Sequence, residues 1–494
     1  MCGKMNEDDI KVYYKDCRDM SELPDKSVQC VVTSPPYYGL RDYGLEPLIW
    51  GGDKNCKHEW SIENKSMRNQ HRAGMAKNPA TASESDKRQV SEFHREEGFC
   101  KKCGSWLGSL GLEPTPELFI EHLVEIFREV WRVLRDDGTV WLNLGDTYAR
   151  DGTRKQIKLG QAGIHENRTA REALNQRKLP PGLKEKDLIG IPWRVAFALQ
   201  ADGWYLRSDV IWDKSRCCMP ESQNGWRWEK HRIKVNNIWQ DCSGCDKCNP
   251  NDGYVLRKGS WRCTKAHEYI FQLTKSDKYY SDADAVRETI KESTIKRSKY
   301  GWHGNLCDGH KMSGIKDIDK LNCFNQAGAN KRDVWHINLE PYKGSHFAVF
   351  PSELPRICIL ASTSLMACNI CGAPFARVID IQRPENYNLS ITDKKHQEGC
   401  GGDTFQHNRP LKNIFDDSQS TERIMKGWRA TCKCKKNNGT GKCIVLDMFC
   451  GSGTSLWTAH KLGRRAIGYE LNKEYKKLID KRCHLKSRDL EGFF

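Results

Sequence analysis

A chain of 494 residues can bury a large core and more than one structural unit, and 80 Lys and Arg against 64 Asp and Glu leave it at +16. That excess favours a polyanionic partner such as nucleic acid, while the lack of any apolar run of about 18 residues and the polar N-terminus argue against a membrane span or signal peptide and predict a cytoplasmic protein. In a reducing compartment, cysteines clustered as Cys-x-x-Cys read as metal ligands rather than disulfides, so the 23 cysteines here point to zinc.

In chain order, the apolar residues 27–32 predict a short buried strand, and Thr33-Ser34-Pro35-Pro36-Tyr37 stands where it ends, the usual address of a functional loop in an open α/β sheet. Cys56 and His58, with Cys100 and Cys103 across the polar stretch 64–98, supply three sulfurs and one imidazole for a tetrahedral zinc. Thr115 can cap a helix and Pro116 suits its first turn; Leu118, Phe119, Leu123, Ile126, Phe127, Val130, Trp131 and Leu134 then recur at helical spacing until Asp136-Asp137-Gly138. Strands are expected at 139–144, 209–212, 269–273, 444–448 and 465–469, giving an α/β sheet interrupted by polar insertions. The long stretches 150–187 and 287–333 are rich in Lys and Arg and read as DNA-contacting or solvated loops; 378–427 is a further polar insertion.

Cys242, Cys245 and Cys248 give three metal ligands in seven residues, with the fourth open among Cys217, Cys218, His231 and Cys263. Cys368, Cys371, Cys432 and Cys434 form two knuckles whose four thiolates suit a second closed zinc site. With every position filled by protein and none left for water, such sites are structural. Near the C-terminus, residues 445–454 run from a strand into a Gly-rich turn, with a helix starting at Thr454. Gly451 and Gly453 allow close backbone approach to a ligand, and Glu470, ending the next strand about 20 residues on, is placed for ribose hydroxyls. No Gly-Lys-Ser/Thr occurs there, so a triphosphate-binding loop is not supported.

Asp447-Met448-Phe449-Cys450-Gly451-Ser452-Gly453-Thr454 resembles the S-adenosylmethionine loop, Asp-Pro-Phe-x-Gly-Ser-Gly-Thr, of the amino-methyltransferases that modify DNA, and Thr33 to Tyr37 resembles their catalytic motif. The order, catalytic motif first and cofactor loop last, is similar to the β class of that family, whose methyltransferase sheet is circularly permuted. Residues 141–149 and 265–271 fit the same family. His346, Phe350 and Pro351 lie in a segment resembling the element that covers the methionine end of the cofactor. Asp16, in Tyr14-Lys15-Asp16-Cys17, resembles the acid near its adenine, although Lys15 replaces Gly.

The resemblance thus implies a Rossmann-like S-adenosylmethionine-dependent methyltransferase fold with zinc-binding insertions, and cofactor contacts at Asp16, Thr33, His346, Phe350, Pro351, Asp447, Phe449, Gly451, Ser452, Gly453, Thr454 and Glu470. Core segments are expected at 1–55, 111–285, 336–366 and 444–494, zinc insertions at 56–110 and 367–443, and a target-recognition region at 286–335. It implies catalysis by Ser34, Pro35, Pro36 and Tyr37. An exocyclic amine is a poor nucleophile because its lone pair is delocalised; hydrogen bonds to the Ser34 hydroxyl and Pro35 carbonyl would return that density to nitrogen. Two prolines remove competing donors, and Tyr37 would stack on a base flipped out of the duplex. Ser at the head of the motif favours cytosine N4 over adenine N6, while cytosine C5 chemistry is disfavoured because no cysteine follows a proline. The partners implied are double-stranded DNA and a cognate restriction endonuclease, with the chain a monomer or dimer in a bacterial or phage-infected cell. Two other readings are an inactive zinc-ribbon DNA-binding protein and a methyltransferase of RNA or protein, the latter opposed by the motif order.

Overall fold

The computed structural model describes residues 9–40, 42–68, 92–149, 179–214, 224–235, 238–289, 328–340, 350–382 and 422–483. In chain order its first strands are β1 (Ile10–Tyr13), β2 (Val28–Thr33), β3 (Leu48–Trp50), β4 (Trp60–Arg68), β5 (Glu92–Cys100) and β6 (Trp106–Gly108). Helix α1 (Pro116–Val133), β7 (Leu134–Leu144), α2 (Ile191–Ala201) and β8 (Tyr205–Asp213) follow, then the short strands β9 (Trp226–Lys230), β10 (Arg232–Val235), β11 (Ile238–Asp241) and β12 (Tyr254–Lys258). The chain continues through β13 (His267–Thr274), β14 (Val334–His336), α3 (Glu353–Ser362), β15 (Phe375–Gln382), β16 (Glu422–Ala430), β17 (Ile444–Asp447), α4 (Thr454–Lys461), β18 (Arg465–Tyr469) and α5 (Lys476–Cys483).

The main sheet runs β1-β18-β17-β2-β7-β13-β8-β14, so its neighbouring interior strands β17 and β2 come from opposite ends of the sequence. All neighbours pair in parallel except β13, which is antiparallel to both β7 and β8. Strand β2 is buried at every position, as a central strand covered on both faces must be, which is why it reads as a continuous apolar run. Val28 and Val31 pack with helices α1 and α2, while Cys30 and Val32 pack with α3, α4 and α5. A register shift between Val28 and Cys30 accounts for the broken alternation.

Helix α1 forms as expected. Thr115 caps it by accepting from the Leu118 amide at 3.3 Å, Pro116 opens it, and Phe119, Leu123, Ile126, Phe127, Val130 and Val133 bury one face. It ends earlier than the Asp-Asp-Gly signal suggests, because Leu134 already pairs with Val28 in the sheet. Strands β1 and β14 and helices α2, α3 and α5 were not expected from the sequence; β14 adds an eighth strand at the β8 edge. Small antiparallel sheets carry the cysteine-rich insertions: the four-stranded β3-β6-β5-β4 and the two-stranded β9-β12, β10-β11 and β15-β16. Most of the expected recognition region, residues 290–327, lies outside the described residues, as do 150–178. No described helix is long and apolar enough to cross a membrane.

Candidate active site and metal centres

The connection from β17 through α4 to β18 goes to one side of the sheet, and that from β2 through α1 to β7 goes to the other. Such a reversal opens a crevice beyond the carboxyl ends of the two strands. Those ends carry the Gly-rich turn and the Ser-Pro-Pro-Tyr loop, and both line one cavity of about 440 Å³, large enough for a small-molecule ligand.

Asp447 ties the two loops together. It is 1% exposed; its Oδ1 accepts from Thr33 Oγ1 at 2.8 Å and from the Phe449 amide at 3.1 Å, and its Oδ2 accepts from Ser455. Burial pushes its carboxyl up to about 6 against those hydrogen bonds. Thr33 and Asp447, both expected among the cofactor contacts, therefore sit behind the cavity wall and bond to each other. Gly453, with φ of 79°, caps α4 in the left-handed region; a Cβ there would stand 3.3 Å from Cys483 Sγ, so a side chain would be both strained and crowded. Ser452 and Thr454 line the cavity, their hydroxyls held by Arg482 from α5.

Glu470 reaches the same cavity from the end of β18. Its Oε2 accepts from the Gly451 amide at 2.8 Å and its Oε1 from the Asn472 amide at 2.8 Å, while burial pushes its carboxyl up to about 7. Asp16, Phe350 and Phe449 also line the cavity, with Asp16 bonded to the Arg18 guanidinium at 2.6 Å. Pro351 is buried outside the lining, just before α3, and His346 lies outside the described residues.

On the catalytic side the structure adds a floor. Tyr37 Oη donates to Glu268 Oε2 at 2.7 Å and lies 3.0 Å from Asn143 Oδ1; Asn143 Nδ2 donates to Glu268 Oε2 at 3.1 Å, and Lys214 pairs with Oε1. Ser34 Oγ donates to Tyr37 Oη at 3.3 Å. Because the Tyr37 proton is drawn to Glu268, the Ser34 proton points to Tyr37, and the Ser34 lone pairs are left for the cavity. Desolvation and Glu268 hold the Tyr37 hydroxyl well above its usual range, so it stays a donor. Gly145 makes room for this arrangement, since a Cβ there would stand 2.5 Å from the Tyr37 ring. Tyr38 instead packs in the core, 5.6 Å from Phe119.

Asn143, Glu268 and Lys214 were not singled out from the sequence. They come from β7, β13 and the residue after β8, neighbours in the sheet but far apart in the chain. The first two lay within segments that fitted the family, which was the available signal.

Three cysteine-rich groups assemble, each with four ligand atoms within 4.8 Å of one another: Cys56, His58, Cys100 and Cys103; His231, Cys242, Cys245 and Cys248; and Cys368, Cys371, Cys432 and Cys434. In the first, Cys56 Sγ and Cys100 Sγ are 4.0 Å apart and Cys103 Sγ is 3.4 Å from His58 Nδ1. In the second, Cys245 Sγ is 3.7 Å from Cys248 Sγ and 3.3 Å from His231 Nδ1. A tetrahedron with Zn–S bonds of about 2.3 Å has edges of about 3.8 Å, so these donor sets fit zinc. His231 completes the second group; Cys263 is exposed and outside it, and Cys217 and Cys218 lie outside the described residues.

A family model described as DNA methylase matches residues 28–365 and 434–481, which include the catalytic loop, the floor and the cofactor turn. The chain belongs to this family of site-specific DNA amino-methyltransferases. It is 34% identical over 344 residues to Type II methyltransferase M.Cfr9I of Citrobacter freundii, covering 70% of this chain and 69% of that one. It is also 31% identical over 364 residues to Type II methyltransferase M.SmaI of Serratia marcescens, covering 73% and 78%. Among solved structures, PvuII DNA methyltransferase (cytosine-N4-specific) aligns over 97% of this chain and 87% of its own, at 12% identity and a TM-score of 0.39. The methylase is thus an enzyme that methylates DNA from S-adenosylmethionine.

Two outcomes follow from the cavity. Burial holds the Glu470 carboxyl up at about 7, and an ionised carboxylate accepts from two hydroxyls better than the acid form, so that, were Glu470 to take the ribose hydroxyls of the cofactor, binding would favour the ionised form. Cofactor affinity should therefore rise as pH rises through about 7, with proton release on binding, and Glu470→Gln should abolish that dependence. Calorimetric titrations in buffers of different ionisation enthalpy check it; binding without proton release below pH 7 contradicts it. For folding the sign is opposite. Asp447 and Glu470 both hold protons more tightly when folded, so their contribution is full below about pH 4 and lost as pH rises to about 6 to 7. The second outcome concerns Tyr37→Phe, which frees the Ser34 proton. Single-turnover rates should fall about tenfold, a barrier increase of ~1.4 kcal/mol, with cofactor Kd unchanged. An unaltered rate would show that the Ser34 proton need not be held by Tyr37.

Proposed function

We propose that this methylase transfers its methyl group to the exocyclic N4 amine of cytosine, flipped out of duplex DNA. The observation that carries this reading is Ser34 at the head of the catalytic loop, with its proton committed to Tyr37 and its lone pairs free for an amine. The amine hydrogens would donate to Ser34 Oγ and the Pro35 carbonyl, leaving lone-pair density on nitrogen to attack the sulfonium methyl; as the N–C bond forms the C–S bond would break, the cofactor would leave as the neutral thioether, and one amine proton would pass to solvent. Glu470 and Asp16, which line the cavity, would hold the cofactor's adenosine, and Phe449 and Phe350 would border its methionine end. The sulfonium supplies an electrophilic methyl; the chain supplies alignment and acceptors, which lower the barrier by positioning. An Asp or Asn at the head would favour adenine N6, which is the second reading.

The chain order, with β2 ahead of β17 in a sheet whose cofactor turn follows β17, supports a circularly permuted methyltransferase of the β class. The three donor sets read as structural zinc sites, the first two joined to the cavity wall and the third to the amino ends of β2 and β17. The first insertion lends Leu48 and Trp50 of β3 to the cavity wall. The second begins after Lys214 and ends before Glu268. The third bonds Gly372 O to Gln29 Nε2 of β2 at 2.7 Å. The partners are duplex DNA and, as for a restriction-modification enzyme, a cognate endonuclease.

The test is to express the chain in a host lacking DNA methylation, hydrolyse its genomic DNA and resolve the nucleosides by mass spectrometry. N4-methylcytosine is expected; N6-methyladenine would replace it with the second reading, and neither would refute both.

A further inference from the structure

The second metal-ligand group sits in an insertion, residues 224–265, that leaves the sheet after β8 and returns at β13. Both of its stems are part of the catalytic cavity: Lys214 and Glu268 line it and pair with each other, and the Lys214 amide donates to Ala266 O at 2.8 Å. Whatever this insertion presents is therefore tethered to residues that line the cavity.

It presents tryptophan and positive charge. Trp226, Trp228, Trp239 and Trp261 are 68%, 53%, 57% and 67% exposed. In the β9-β12 hairpin, Trp226 pairs across from Lys258, Trp228 from Leu256 and Lys230 from Tyr254, and alternate residues of a strand share a face. Lys258 Nζ stands over the Trp226 ring at 5.0 Å. In the β10-β11 hairpin, Lys234 is opposite Trp239 and Arg232 opposite Asp241, and the Lys230–Asp241 bridge of 2.9 Å joins the two hairpins. Residues 224–265 hold nine Lys and Arg against four Asp and Glu. Exposing this much indole has a hydrophobic cost that a merely solvated loop would avoid.

We infer that this metal-pinned double hairpin is a DNA-docking finger, whose aromatic and basic face lies on the strand beside the flipped nucleotide. Lys and Arg neutralise phosphates, and the indoles take the bases or sugars left without a stacking neighbour when one base is withdrawn. The His231 and Cys242 to Cys248 group fixes the hairpins: His231 stands at the β9-β10 junction, its carbonyl accepts from the Cys242 amide at 2.8 Å, and its own amide donates to Gly253 O at 2.8 Å. The inference rests on the DNA-methylation reading and adds to it a surface outside the cofactor and catalytic loops.

The test uses the full-length zinc-replete protein, the Trp226→Ala/Trp228→Ala double variant and Lys234→Ala. Binding of a mixed-sequence duplex of about 30 base pairs is followed by fluorescence anisotropy over a salt series, with S-adenosylmethionine binding as the integrity control. The double variant should weaken duplex binding about tenfold or more with cofactor Kd unchanged, and Lys234→Ala should make the salt slope shallower by about one phosphate contact. If the wild type binds the duplex and both variants match it, the finger assignment is overturned and the face belongs to a protein partner. If the wild type binds no duplex, the DNA reading falls and the finger with it.

Discussion

Replacing Ser34 with alanine should lower the single-turnover rate of methyl transfer by about 100-fold or more, ~2.7 kcal/mol of barrier, while S-adenosylmethionine Kd stays within about twofold. The expectation follows from the wiring of the loop. The cofactor contacts proposed are at Glu470 and Phe449, whereas the Ser34 hydroxyl bonds to Tyr37, so cofactor binding should change little. The target amine has one fewer acceptor, and Tyr37 Oη loses the proton it receives from Ser34 at 3.3 Å. Ser34→Thr keeps the hydroxyl and should restore part of the rate. Full activity in Ser34→Ala would remove Ser34 from the reaction.

The second large effect concerns metal. Elemental analysis should find about three zinc ions per chain, one for each four-ligand group. Cys368→Ser should lower the count by one, cost about 3 kcal/mol or more of stability, and weaken cofactor binding, although Cys368 does not line the cavity. The reason is a bolt on the central strands. Gln29 of β2 donates to Gly372 O in the Cys368 knuckle and its Oε1 accepts from the Ile444 amide at the start of β17. One buried side chain thus links the knuckle to both strands that carry the functional loops, and loosening it should shift Ser34 against Gly451. An unchanged zinc content and melting temperature in Cys368→Ser would refute a metal at that site.

What could be read in the sequence tracks how local each signal is. Strand β2 with its Ser-Pro-Pro-Tyr loop, helix α1 with its Thr115 cap, and the β17-turn-α4-β18 unit are contiguous stretches whose patterns need no partner to be recognised. The first and third cysteine groups were legible in full because each is two short knuckles. Strand β1 has only four residues, and α2 is apolar around much of its surface, so neither carries a clear period. The catalytic floor was hidden for a different reason. Asn143, Glu268 and Lys214 meet because β13 inserts antiparallel between β7 and β8, a pairing that no periodicity encodes. His231 was one of four candidates until the β9-β10 turn brought its Nδ1 to 3.3 Å from Cys245 Sγ. Asp447 read as a cofactor ligand because it begins the Gly-rich motif; its burial beside Thr33 makes it the clamp between the two loops.

Ser34 to Tyr37 and the Gly-rich turn line one cavity, the proposed place where a methyl group passes from S-adenosylmethionine to a DNA amine. The most direct measurement incubates the purified protein with methyl-labelled S-adenosylmethionine and duplex DNA and counts label retained on the DNA. Label should accumulate on the duplex with wild type and fall to background with Ser34→Ala; a protein that binds the cofactor yet leaves the duplex unlabelled would contradict the account.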